Sequence, residues 1–305
     1  MRWMPLLLLV PIALLLASCR SLRPFAEIRK EVPEDRFLRI GEQLVHIEQA
    51  GQGEPVILIH GFGASTYAWR KVLPTLAESF RAVAVDLNGF GYTQRPRSPE
   101  SYTREGQGKL VLDVMDDLGI ERAHFVGHSY GGGITLWIAS RYPERVRSMV
   151  LVDSSAPTYA NDRRSRMAAL KPVTSLFLRS FALRPATVRK SLLRSFYDDS
   201  LVTPELVQAY YERLSIEGAT DAYYGLTAPL PSSTDKVELE KIDVPALIVW
   251  GENDLVISAA AGKRAADRMP RARFVAFPET GHIPMEERPE ELLRIMVPFL
   301  KDPGL

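Results

Sequence analysis

The run Gly127-His128-Ser129-Tyr130-Gly131 sets a serine between two glycines, after the apolar stretch Ala123 to Val126 and before Gly131 to Trp137, which reads as a helix. A strand, a tight turn and a helix in that order make a nucleophile elbow. The glycines let the chain reverse sharply, so the hydroxyl stands at a sheet edge over a helix N-terminus. The purely structural reading of the same residues is a glycine loop packing a helix on a sheet. Serine is a weak nucleophile at neutral pH, so chemistry requires a histidine to take its proton and a carboxylate to fix that histidine's tautomer.

Five histidines are available. His46 falls in a strand-like segment, His60 in a glycine loop, His124 in the strand before the elbow and His128 beside the serine, and none of these suits a base. His282 lies in the loop Pro278 to Pro284, after the apolar run Ala272 to Phe277 and before a helix starting near Arg288-Pro289-Glu290. The chain order serine, acid, histidine fits it. For the acid, Asp254 follows Ala246 to Trp250, a continuous apolar run of the kind a strand buried on both faces shows. Asp153, ending the run Ser148 to Val152, is the rival acid, while Asp86 after Arg81 to Val85 caps a loop. Ligand sites in open parallel sheets form at the carboxyl ends of strands, so Ser129, Asp254 and His282 would meet from three strands. Two backbone donors must hold the oxyanion. Tyr130 supplies one, and Phe62 in His60-Gly61-Phe62-Gly63, directly after Val56 to Ile59, supplies the other. Phe62, Tyr67 and Trp69 are the candidate aromatic lining for substrate, joined by Tyr130.

Together these residues resemble the α/β-hydrolase superfamily over roughly Phe37 to Leu300, and Val85 to Thr93 looks like that family's loop after its fourth strand. The resemblance implies an α/β fold with a mostly parallel eight-stranded sheet flanked by helices. It also implies a helical cap inserted after the sixth strand, and no metal or organic cofactor. Haloalkane dehalogenases and epoxide hydrolases share the loop pattern but use an aspartate nucleophile, which Ser129 argues against. Two departures stand out: Tyr130 where many relatives carry methionine, and Gly106 and Gly108 in the helix after Tyr102. Each glycine costs about 1 kcal/mol in a helix interior, so that helix is expected to start late.

At 305 residues with 46% hydrophobic content and a formal net charge of +1, the chain reads as an ordinary globular enzyme and not a nucleic-acid binder. Strand-like and helix-like segments alternate from Val56 to Val152, which argues for a parallel sheet, and a hairpin of Phe37 to Ile40 and Gln43 to Gln49 precedes them. Residues 36–155 and 238–305 are expected to form the hydrolase core and residues 156–237 the helical cap.

Met1 to Cys19 reads as a targeting segment. Arg2 is followed by the apolar run Pro5 to Leu16, shorter than the ~20 residues a spanning helix needs. Leu16-Ala17-Ser18-Cys19 resembles the bacterial lipoprotein processing box, which implies removal of residues 1–18 and a lipid on Cys19, the sole cysteine. An ordinary cleaved signal and an uncleaved anchor are the alternatives. Arg20 is not the aspartate that resembles an inner-membrane retention signal, so the expected location is the bacterial cell envelope at the outer membrane. Residues 19–35 would be a polar tether.

Nine bases stand against the single acid Asp162 between Ala156 and Phe196. Interleaved with leucines and phenylalanines, they suggest basic, amphipathic cap helices. Such a face suits an anionic membrane surface at roughly 1 kcal/mol per basic residue, an acidic substrate, or simply solvent. The expected activity is a serine hydrolase cleaving small-molecule carboxylic acyl esters through an acyl-enzyme. Lactone, thioester and peptide bonds suit the same motif. So does a carbon–carbon hydrolase cleaving a vinylogous diketone, and the remaining alternative is a ligand-binding protein of this fold without turnover.

Overall fold

Strands that never alternate apolar with polar residues must be covered on both faces. The structure, a computed structural model, describes residues 22–155, 184–227 and 237–304. Strands β1 (Phe37–Ile40) and β2 (Gln43–Ala50) form an antiparallel hairpin, and β2 pairs antiparallel with β4 (Arg81–Val85). The remaining strands are parallel: β3 (Pro55–Ile59), β5 (Ala123–His128), β6 (Val146–Val152), β7 (Ala246–Gly251) and β8 (Ala272–Phe277). The order β1-β2-β4-β3-β5-β6-β7-β8 makes the eight-stranded, mostly parallel sheet of an α/β-hydrolase fold.

The helices, numbered in chain order among the described residues, are α1 (Phe25–Glu31), α2 (Leu73–Ala77), α3 (Arg104–Asp117), α4 (Tyr130–Arg141), α5 (Pro185–Ser195), α6 (Pro204–Leu214), α7 (Ala219–Thr227), α8 (Ala259–Arg268), α9 (Pro284–Glu287) and α10 (Pro289–Lys301). On one face of the sheet Ile57, Val83, Phe125 and Ile248 pack with Val111 and Met115 of α3 and Ile134 and Trp137 of α4. On the other, Leu58, Val126, Val150 and Val249 pack with Leu292 and Met296 of α10 and Leu192 of α5. Both faces are therefore dry, which is why β5 and β7 are buried at every residue. The chain leaves β3 toward β4 but returns to place β5 on β3's other side. That switch point brings the loop after β3 beside the turn after β5.

Among the described residues, helices α5 to α7 stand between β6 and β7, where the resemblance places a cap. Arg184, Arg189, Lys190 and Arg194 of the basic run fall within the described residues; Arg163 to Arg179 lie outside them, as does Met1 to Ser21 with Cys19. No helix among the described residues is long and apolar enough to cross a membrane.

Two expectations change. Helix α3 does not start late: it opens at Arg104, capped by the Thr103 hydroxyl, which accepts from the Gly106 N–H at 3.0 Å. Its glycine serves packing, since a Cβ at Gly108 would lie 2.5 Å from the Trp137 ring of α4. From Leu22 onward the expected tether is folded onto the body. The Arg23 N–H donates to the Ser215 carbonyl at 2.9 Å, the Glu217 N–H donates to the Arg23 carbonyl at 2.8 Å, and Ile28 of α1 is fully buried. A buried isoleucine and two backbone hydrogen bonds outweigh the polar composition of the segment.

Candidate active site

Strand β5 ends at His128, and the next residue, Ser129, turns the chain into α4 with φ of +49°. A left-handed conformation at a residue with a side chain costs free energy and persists only where the surroundings enforce it. Here they do: the Ser129 N–H donates to the Val152 carbonyl at 2.9 Å, and its own carbonyl accepts from Ser155 N–H at 2.9 Å. Gly131 permits the turn, because a Cβ there would lie 2.3 Å from the Ile59 carbonyl oxygen.

The Ser129 hydroxyl lies 2.9 Å from Nε2 of His282, whose Nδ1 lies 2.7 Å from Oδ2 of Asp254. The other Asp254 oxygen accepts the Val256 and Ile257 N–H groups at 2.6 and 2.9 Å. Burial alone would raise the Asp254 carboxyl, but the His282 hydrogen bond and charge and the two amides overcome it and hold the group below its ordinary value. An ionised Asp254 keeps the proton on Nδ1 and turns the Nε2 lone pair to the serine. Ser129, Asp254 and His282 thus meet from the ends of β5, β7 and β8, in the arrangement the sequence suggested.

The rival acid is nearby but differently placed. Asp153, after β6, has φ of +44° and accepts the Gly251 N–H at 3.0 Å. Full burial, and next the Asp254 charge, push its carboxyl well above the ordinary value, so it is neutral where Asp254 is charged. The four other histidines have structural partners. Nδ1 of His46 pairs with Asp86 at 2.7 Å, and Nδ1 of His124 with the Ser148 hydroxyl at 2.8 Å. His60 donates to the Gly61 carbonyl at 2.8 Å and accepts the Leu87 N–H at 3.1 Å, bracing the loop after β3 against the loop after β4. Burial, then the neighbouring His282, lowers His128 to about 3. It stays neutral and donates from Nε2 to the His282 carbonyl at 2.7 Å.

Tyr130 is the first residue of α4, so its amide belongs to the helix N-terminus, and Phe62 stands in the loop after β3 with its ring centroid 6.3 Å from that of Tyr130. The loop after β3 abuts the elbow, since a Cβ at Gly61 would lie 3.2 Å from Ser129 Cβ. A family model described as alpha/beta hydrolase fold matches residues 54–289, most of the chain.

The chain belongs to the alpha/beta hydrolase fold family.

Among its relatives, an uncharacterized hydrolase of Bacillus subtilis, YugF, is 30% identical over 256 residues, covering 84% of this chain and 93% of the relative. A 2-hydroxymuconate semialdehyde hydrolase of a Pseudomonas strain is 30% identical over 268 residues, covering 84% and 90% of the two chains. A solved meta-cleavage product hydrolase from Pseudomonas fluorescens superposes with a TM-score of 0.73 at 29% identity, over 85% of this chain and 95% of that one.

In this hydrolase His282 opens onto a cavity of about 310 Å3, lined by Phe62, Phe90, Leu192, Tyr223 and Met285 among others. Phe62 is 50% exposed at its mouth, with its ring against Phe90 and Tyr223. A larger cavity of about 930 Å3, between α1 and α7, contains none of the three residues. Three lining expectations need correction: Tyr130 meets the Phe62 ring but does not border the cavity. Trp69 is fully buried in the core under the sheet, and Tyr67 is held between the Arg70 and Arg213 guanidinium groups, 4.0 and 4.5 Å from its ring centre. Neither borders the cavity. Cap helix α5 and the loop after β4 supply lining in their place, through Leu192 and Phe90; no periodicity in the sequence links such distant positions.

The loop carrying Phe90 hangs on one buried carboxylate. Asp86 accepts from Thr66 and Tyr92 N–H at 2.6 and 2.8 Å and from His46. Burial opposes ionisation, yet His46, His60 and the Thr66 amide hold its pKa well below the ordinary value. Asp86→Ala, which strands those buried donors, should cost about 3 kcal/mol in urea denaturation. A folded pKa below the unfolded one means the contribution is whole above about pH 4 and is lost as pH falls below it. The wild-type midpoint should therefore drop below that pH while that of the variant drops less.

Proposed function

We propose that this hydrolase acts through acyl transfer to Ser129 and cleaves a carbon–carbon bond next to a ketone in a 2-hydroxy-6-oxo-dienoate. The observation that carries the chemistry is the unbroken Ser129–His282–Asp254 hydrogen-bond chain, whose His282 lines the cavity. The substrate class is supported by similarity to the 2-hydroxymuconate semialdehyde hydrolase along 90% of that relative. After the dienol tautomerises to a diketone, His282 takes the Ser129 proton and the oxygen attacks the 6-oxo carbon, with the Phe62 and Tyr130 amides holding the oxyanion. Collapse breaks the bond from that carbon to its chain neighbour. The electrons pass into the conjugated dienolate, which takes the proton back from His282. Water, deprotonated by His282, then releases the carboxylic acid from Ser129.

A second reading has its own observation. The described lining holds no arginine or lysine, while a dienoate carries a carboxylate, and the walls are mostly apolar. That favours a neutral acyl ester, for which the same steps expel an alcohol. The experiment presents the purified protein with 2-hydroxy-6-oxo-6-phenylhexa-2,4-dienoate, followed by loss of its visible absorbance, beside p-nitrophenyl esters from acetate to palmitate. Faster turnover of the dienoate supports the first reading. Turnover of esters alone rejects it in favour of the second.

A further inference from the structure

The main chain of His282 is held from the cap. Its N–H donates to the carbonyl of Ser195, the last residue of α5, at 2.7 Å. Beside that contact the half-buried Glu287 carboxylate spans two segments. One oxygen accepts the Gly281 N–H of the histidine loop at 2.8 Å; the other accepts the Tyr197 and Asp198 N–H groups, just beyond α5, at 2.7 and 3.3 Å. The two segments approach so closely that a Cβ at Gly281 would lie 2.4 Å from the Ser195 carbonyl oxygen. The carbonyl that receives the histidine N–H is at the negative end of α5, which favours a positive charge as His282 takes its proton.

We propose that Glu287 is a positioning residue that ties cap helix α5 to the histidine loop, so that the seating of the cap sets the geometry of His282 toward Ser129. The proposal rests on the reading of Ser129 and His282 as nucleophile and base. Glu287 touches no substrate in this scheme. It accepts from both segments only because both its oxygens are acceptors. Glu287→Gln replaces one acceptor by an NH2 group, which releases either the loop or the cap while keeping size and shape.

The test compares wild type, Glu287→Gln and Gly281→Ala by three readouts on folded protein: fluorophosphonate labelling of Ser129, kcat and KM on the preferred substrate, and the low-field NMR proton of the His282–Asp254 hydrogen bond. Misplacement of a catalytic group by an ångström costs up to about 100-fold. Labelling and kcat should therefore fall at least about tenfold in both variants, KM should stay within about twofold, and the low-field proton should broaden. A merely structural Glu287 would lower the melting temperature and leave those three unchanged, which would overturn the proposal. Wild-type protein that resists labelling would sink the nucleophile reading instead, and the low-field proton would still decide the role of Glu287.

Discussion

Ser129→Ala should lower kcat by roughly 10⁴ to 10⁶ with either substrate class and leave KM nearly unchanged. The hydroxyl is the only group at the elbow that His282 Nε2 faces at hydrogen-bond distance, 2.9 Å, so its loss leaves no nucleophile in line. Binding should survive, because the apolar walls of the cavity do not involve Oγ. The fold should survive as well. Alanine inherits the same positive φ, and the backbone bonds to Val152 and Ser155 that enforce it do not use the side chain. Residual turnover above background would come from the Phe62 and Tyr130 amides. Steady-state kinetics and intact-protein mass after fluorophosphonate treatment check both halves of the expectation; retention of more than about 1% of kcat, far above the residual activity of knocked-out triads, would point to another nucleophile.

The sheet was legible in the sequence because burial on both faces writes itself as apolar runs, and β5 and β7, buried at every residue, begin where the runs from Ala123 and Ala246 do. Ser129 and His282 were legible for a different reason. Each sits in a loop just after such a run, where an open parallel sheet presents side chains at its carboxyl edge. The lining was not legible. Tyr67 and Trp69 are two residues apart in a short 3-10 turn, Thr66–Trp69, and point to different surroundings. Trp69 goes into the core, while Tyr67 meets the Arg213 guanidinium of cap helix α6, a partner no local pattern announces. The folding of Leu22 to Arg36 onto the body is not legible in its polar composition. Its attachment uses one buried isoleucine, backbone groups of residues 215 and 217 and the Glu217 carboxylate, which accepts the Phe25 N–H at 3.1 Å, and partners so distant along the chain leave no local pattern.

Asp254, favoured on the sequence, and its rival Asp153 yield the sharpest contrast between variants. Asp254→Asn should lower kcat by about 10⁴, because an amide no longer demands the proton on Nδ1 and no longer offsets the imidazolium charge. Asp153 is close enough to invite substitution: its carboxylate lies within 4.8 Å of the Asp254 and His282 ligand atoms. It should not compensate. Burial is the foremost cause of its raised pKa and remains when Asp254 becomes neutral, so the nearby carboxyl stays protonated and cannot balance a charge on His282. Asp153→Asn should accordingly cost less than about tenfold, since asparagine tolerates the left-handed backbone and its carbonyl still accepts the Gly251 N–H. Rates of the two variants across pH 5 to 9 decide the matter on general triad grounds. Equal losses in both would mean that the acid is shared between the two carboxyls, and a larger loss in Asp153→Asn would transfer the role to the end of β6.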